Sequence, residues 1–175
     1  MIAYKFLHPD GTSLFSGFRW PLPEDGRPGP WVEAIIDPCR SGVHACRQQD
    51  LPIWVGPALY ELELDGEIAE QRSKVVAARG RILRPIGAWD DRTHDEYTRM
   101  CADRARELAL VAERPLPDWA EVAEAAVPEG PALLGFVAAR IAGEIDGPDG
   151  YHRERRAQAQ WLVEHLGLER AEDAT

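Results

Sequence analysis

"ALYELELDG", Ala58 to Gly66, alternates along its whole length. Ala58, Tyr60, Leu62 and Leu64 fall on one side, and Leu59, Glu61, Glu63 and Asp65 fall on the other. Successive side chains of an extended chain point to opposite faces, so this period of two predicts a half-buried strand. Asp65-Gly66 closes the run as a hairpin signal, which makes the sheet antiparallel.

Working outward, the flanking segments repeat the theme in shorter form. "IAYKFL" from Ile2 is strand-like, and "HPDGTS" after it is a turn with Pro and Asp-Gly. "LFSGFRWPL" from Leu14 reads as a second strand with Gly17 as a bulge, "PEDGRPGP" as a loop, and "WVEAII" from Trp31 as a third strand. "SKVVAARGRILRPI", Ser73 to Ile86, supplies one or two more before Pro85 ends the pattern.

From Thr93 the period becomes helical. Tyr97, Cys101, Ala105, Leu108 and Ala112 form one stripe, closed by Pro115 and Pro117. Asp118 caps a short helix with Trp119, Val122, Ala123 and Ala126 on one face. Leu134, Val137, Ile141 and Ile145 form a third stripe ended by "DGPDG". A last helix runs from about Tyr151 to Leu166. The fold class is therefore α+β: an N-terminal β-rich antiparallel sheet region followed by three or four C-terminal helices. The domains are read as residues 1–90 and 91–168, with a disordered tail over 169–175.

The chain has 175 residues and a net charge of −10 at pH 7, which argues against non-specific binding to a phosphate backbone. Of its 20 basic residues 18 are Arg, a composition typical of a GC-rich genome. "MIAYKFLHPDG" lacks the apolar core of a secretory signal. The most apolar run, "ALLGFVAARIAG", is too short to span a bilayer. A cytoplasmic protein with no membrane contact is the expectation.

The densest chemistry lies in "CRSGVHAC", Cys39 to Cys46. Zinc is one reading: Cys39, His44 and Cys46 would be the ligands, although six residues between the cysteines is not a standard spacing. A Cys39–Cys46 disulfide is geometrically allowed but suits a cytoplasmic chain poorly. Cys46 and His44, two apart on an extended chain, would share a face as a thiol–imidazole pair. A packed corner with buried thiols is the plain structural alternative.

Other groups suggest a ligand. Glu61 and Glu63 are a carboxylate pair suited to acid–base work, or to simple solvation of an exposed strand. Arg79, Arg81 and Arg84 would clamp an anion or balance those carboxylates. Arg19 and Trp20 sit beside a Pro-rich exit where they could line a pocket. "YHRERRAQAQ" places Arg153, Arg155 and Arg156 near a helix start, as a solvated face.

The runs "YKFL", "FSGFRWPL", "CRSGVHAC", "ALYELELDGEI" and "SKVVAARGRIL" together resemble an uncharacterised bacterial and phage domain family. It has a Tyr-Lys opening strand and a Cys-x-x-Gly-x-His-Ala-Cys elbow. The resemblance covers about residues 1–90 and implies a domain boundary there. The outline is also similar to ADP-ribosyltransferase-type folds, which would give nucleotide-handling roles to Tyr4, His44 and Glu61 or Glu63.

The site is thus expected at the elbow. His44, Glu61 and Glu63 would be its catalytic groups, and Tyr4, Lys5, Arg19, Trp20 and Cys46 its ligand-binding groups. It would take a small molecule or nucleotide for group transfer or acid–base chemistry. The alternative is a non-enzymatic module whose acidic helices bind a protein partner. No cofactor is specified beyond the zinc reading.

Overall fold

The computed structural model describes residues 1–37, 40–112 and 118–168. Cys39, Pro115, Pro117 and the 169–175 tail lie outside them. Met1–Trp89 form the body of one compact unit, and Asp90–Gly167 form the other. The architecture is α+β, as the two periodicities require.

Among the described residues the sheet has five strands: β1 (Ile2–Leu7), β2 (Val32–Glu33), β3 (Val43–Ala45), β4 (Ala58–Glu70) and β5 (Val75–Pro85). The order is β1-β4-β5-β2, with β3 also on the β2 edge of β5, and all pairings are antiparallel. The frame is the long β4–β5 pair. The strand read from Ala58 does not turn at Asp65-Gly66. It continues to Glu70, and the chain reverses at Gln71–Lys74, where Gln71 N–H donates to Lys74 C=O at 2.9 Å.

Asp65-Gly66 is instead a bulge. Asp65 pairs with Arg79 and Ile68 with Ala77, so Gly66 and Glu67 oppose Ala78 alone. Gly66 has φ +77°, the left-handed value that such a bulge needs. An Asp-Gly pair serves a tight hairpin and this bulge equally, so the dipeptide could not decide between them.

The bulge bends β4, and the sheet curls until its ends meet. Tyr4 and Cys46 exchange both backbone hydrogen bonds at 2.8 Å, joining β1 to the end of β3. That single pair closes the circuit β1-β4-β5-β3 at one point. Its interior is apolar: Ala3 and Leu7 meet Leu62, Leu64, Ile82, Val43 and Val75, all buried.

Two strands expected from the sequence are smaller than read. "LFSGFRWPL" forms turns and single bridges, because Gly17 N–H bonds back to Ser13 C=O and Trp20 is drawn inward. "WVEAII" is a strand only over Val32–Glu33, where it touches β5. A short helix the alternation did not indicate, α1 (Leu51–Trp54), follows a 3-10 turn at Gln48–Asp50. Arg47 anchors it by bonding Asp50 at 2.6 Å, Glu70 at 2.9 Å and Gln71 C=O at 2.9 Å.

The second unit is helical: α2 (Asp91–Val111), α3 (Trp119–Ala126) and α4 (Pro131–Leu166). Asp90 and Asp118 cap α2 and α3, each carboxylate accepting from backbone N–H groups of the first turn. Helix α4 breaks at Asp146–Gly147, and Pro148 opens its second arm. Tyr97, Cys101 and Ala105 of α2 and Leu134, Val137 and Ile141 of α4 are buried, as their stripes predict, whereas Ile145, the last of its stripe and next to the break at Asp146, is exposed. Arg155 is a correction. It is 9% exposed rather than solvated. Its guanidinium lies 5.8 Å from the Phe136 ring centroid and 5.7 Å from that of Tyr151. No helix among the described residues is long and apolar enough to cross a membrane.

Candidate functional site

The ladder between β1 and β3 is one pair long. Beyond Tyr4 and Cys46 the strands part, and the gap opens into a cavity of about 440 Å³. Lys5 and Phe6 line it from β1, and His44 and Ala45 from β3. Hydrogen-bonding directions alternate along an antiparallel strand, so the His44 carbonyl faces β1 as that of Cys46 does. Lys5 Nζ donates to it at 2.6 Å, in the place a β1 amide would hold if the ladder continued.

Lys5 is deeply set. Its ammonium lies 5.4 Å from the Trp20 ring centroid. Burial lowers its pKa from 10.5 to about 8, and the charge of Lys74 adds to the fall. Trp20 is itself buried and donates its indole N–H to Ser13 Oγ at 3.0 Å. That bond fixes the loop whose Ser13, Phe15 and Ser16 form one wall of the cavity. Opposite, Trp54 donates to Ser73 C=O at 2.6 Å and meets the Phe15 ring edge-on at 6.1 Å. Phe15 is 84% exposed, an aromatic held at the mouth.

His44 lines the same cavity, and its Nε2 is buried without a hydrogen-bond partner. Burial lowers its pKa, and the nearby Lys74 and Lys5 lower it further, so the ring is neutral at neutral pH. A neutral imidazole with an unspent nitrogen can accept or donate one proton.

Cys46 does not present a thiolate. Its Sγ donates to Tyr4 C=O at 3.3 Å, and burial pushes its pKa up to about 12, with Asp50 adding to the rise. It touches the cavity as a protonated wall group, which removes the thiol–imidazole nucleophile. Cys46 and Cys101 are free thiols. Cys39, the other member of the disulfide and zinc readings, lies outside the described residues. Among those described, no three His, Cys, Asp or Glu side chains cluster as metal ligands.

The sequence-predicted residues divide cleanly. Tyr4, Lys5, His44 and Cys46 come together. Glu61 and Glu63 do not line the cavity, because each is engaged across the β4–β5 pair. Arg84 bonds Glu61 at 2.6 Å and Arg81 bonds Glu63 at 2.7 Å, with Arg79 and Asp65 forming a third such pair. These residues balance one another in the cross-strand manner. Arg19 is exposed away from the cavity, and Trp20 supports it from within the core.

Sequence reasoning missed Arg40, Lys74, Phe15 and Trp54, all of which line the cavity. One signal was available. The only two lysines among the 20 basic residues are Lys5 and Lys74, and both are here. Comparison with protein-family models, curated proteins and solved structures finds no match to the chain.

The buried ammonium has a cost that pH should reveal. Between about pH 8 and 10.5 the unfolded chain holds a proton on Lys5 that the folded chain does not, so stability rises with pH across that window. Below about pH 8 both states are protonated and the full penalty applies. Cys46 and Cys101, both raised to about 12, act in the opposite sense once unfolded thiols ionise, so a variant must isolate the lysine. Lys5→Met is expected to raise the unfolding free energy at pH 7 by about 1–2 kcal/mol. Its advantage over the parent should shrink toward pH 10. Urea unfolding at several pH values measures this, and a variant less stable than the parent at pH 7 would refute it.

Proposed function

We propose that the cavity between β1 and β3 binds a small anion carrying an aromatic or apolar group, of nucleoside-monophosphate size, with His44 as its acid–base or orienting residue. The observation that carries this reading is the charge of the lining. In a chain of net charge −10, three cations, Lys5, Arg40 and Lys74, surround one cavity. No Asp or Glu lines it among the described residues. Its volume lies within the roughly 300–1,000 Å³ range of small-molecule sites.

The parts divide the work. Lys74 and Arg40 attract the anionic group, Arg40 offering a planar fork suited to phosphate or carboxylate. Phe15 and Trp54 supply rings against which a flat group can stack. Ser13, Ser16 and the Tyr4 hydroxyl supply neutral hydrogen bonds. With Glu61 and Glu63 held by arginines elsewhere, proton transfer falls to His44.

Adenosine 5′-monophosphate and adenosine distinguish the anion from the ring. Calorimetric titration at low ionic strength is expected to show the monophosphate binding at least about tenfold more tightly. Lys74→Ala and Arg40→Ala should each weaken it by roughly tenfold, the scale of one charge-assisted hydrogen bond. Equal affinity for the two ligands, or monophosphate binding indifferent to both substitutions, would remove the anion site.

A further inference from the structure

We propose that Lys5 is a carbonyl-reactive amine: the cavity takes an anion that bears an aldehyde or ketone group, and Lys5 Nζ condenses with that group to form a Schiff base. This rests on the reading of the cavity as an anion site and goes beyond it, because charge attraction alone gives no reason for an amine at this position.

Three observations converge on it. First, both lysines of an arginine-dominated chain line this one cavity. Arginine binds anions at least as well and never gives up its proton, so what lysine adds is the ability to become a neutral nucleophile. Second, Lys5 is fixed. It rises from a paired strand, its Nζ is tethered to the His44 carbonyl at 2.6 Å, and the Trp20 ring lies 5.4 Å away. A desolvated amine beside a second cation is the arrangement that frees a lysine for attack on a carbonyl, and its pKa of about 8 agrees with that setting. Third, His44 supplies a neutral imidazole with a buried, unpartnered Nε2 at the same cavity.

The chemistry balances without a further reagent. The Lys5 ammonium first releases a proton, to His44 or to water. The nitrogen lone pair then forms the C–N bond as the carbonyl π pair moves to oxygen; the nitrogen gives up one proton and the oxygen takes one up, which leaves a neutral carbinolamine whose nitrogen again carries a lone pair. The resulting carbinolamine loses its hydroxyl with a proton as one water, and the nitrogen lone pair completes C=N. One water leaves for each imine formed, and no centre is oxidised or reduced. Among the lining residues His44 is the one whose chemistry suits it to relay these protons, through water, to and from the cavity.

The probe is pyridoxal 5′-phosphate, an aromatic aldehyde with a phosphate, incubated with the full chain and trapped with borohydride, which reduces the imine to a stable secondary amine. The adduct is located by peptide mass mapping. One adduct at Lys5 is expected, formed at least about tenfold faster than at Lys74 or the terminal amine. Its rate should rise with pH through a midpoint near 8, where an ordinary lysine would still be climbing past 10. Lys5→Arg should abolish the adduct, while adenosine 5′-monophosphate competes with it.

Labelling at Lys74 or the terminus instead of Lys5, or a Lys5 profile that rises only above about pH 10, would overturn the proposal. The anion reading can fail separately. If pyridoxal without its phosphate labels Lys5 as fast and adenosine 5′-monophosphate does not protect, the reactive lysine stands and the anion site falls. If the monophosphate binds but no Lys5 adduct forms, the anion site stands and the Schiff base falls.

Discussion

Glu154→Ala is expected to lower the unfolding free energy of the protein by about 1–3 kcal/mol, because it removes a buried acceptor on which Arg104 and Gln158 both depend. Glu154 is 5% exposed and accepts from Arg104 Nε at 3.0 Å and from Gln158 Nε2 at 3.3 Å. Gln158, 1% exposed, also donates to the Gly135 carbonyl at 3.0 Å and accepts from Arg155 at 3.0 Å. The carboxylate is therefore the anionic centre of a chain that ties the second arm of α4 to its first arm and to α2. Without it, Arg104 loses its bond to α4, and Gln158 loses one of the two acceptors of its amide N–H group. Urea unfolding followed by helical circular dichroism measures the loss. Glu124→Ala, which removes the exposed partner of Arg106, is the control and should leave the curve unchanged. A Glu154→Ala loss no larger than the control's would show the network to be energetically idle.

Gly42→Ala is expected to cost about 2–5 kcal/mol, the sum of a backbone conformation nearly restricted to glycine and an overpacked contact. Gly42 has φ +121° at the entrance to β3. An added Cβ would stand 2.3 Å from Val76 Cγ1, and Val76 is fully buried in β5. Neither fault can be relieved alone: moving the backbone breaks the Val43–Ala77 register, and moving Val76 disturbs the face next to His44. Binding of adenosine 5′-monophosphate at the proposed anion site should weaken along with stability. Ser41→Ala, one residue earlier, should do neither. A Gly42→Ala protein with parental stability in urea would contradict the geometry.

These results bear on what a sequence can disclose. The helical stripes were legible because helix neighbours are close in the chain, so Tyr97, Cys101 and Ala105 declare one face by spacing alone. The strand at Ala58 was equally plain. Asp65-Gly66 was not, since the positive φ that glycine permits serves two structures, and only pairing with β5 selects the bulge. The cavity was half legible. His44 and Cys46 advertise themselves by residue type, and Lys5 lies on an evident strand. Arg40 sits in the same elbow as His44 and Cys46, where one arginine among 18 draws no notice, and Lys74, Phe15 and Trp54 come from three further stretches that nothing local unites. Glu61 and Glu63 misled because a carboxylate pair looks alike whether it faces a substrate or two arginines on the next strand. Arg155 misled for a related reason: charge predicts exposure until two rings and an amide are folded over it.

The single Tyr4–Cys46 ladder pair also bears on the order in which the first unit assembles. β4 and β5 are joined by a short turn and can pair as soon as both exist. β1 has no local partner: Leu7 must wait for Ala58, and Tyr4 must wait for both Glu61 and Cys46. Closing so long a loop is entropically unfavourable until the hairpin offers a surface to dock on, so β1 is expected to settle after the β4–β5 pair. Lys5 rides on that strand. Its amine is an ordinary solvated lysine until β1 docks, and it acquires its unusual character in the same event that completes the sheet.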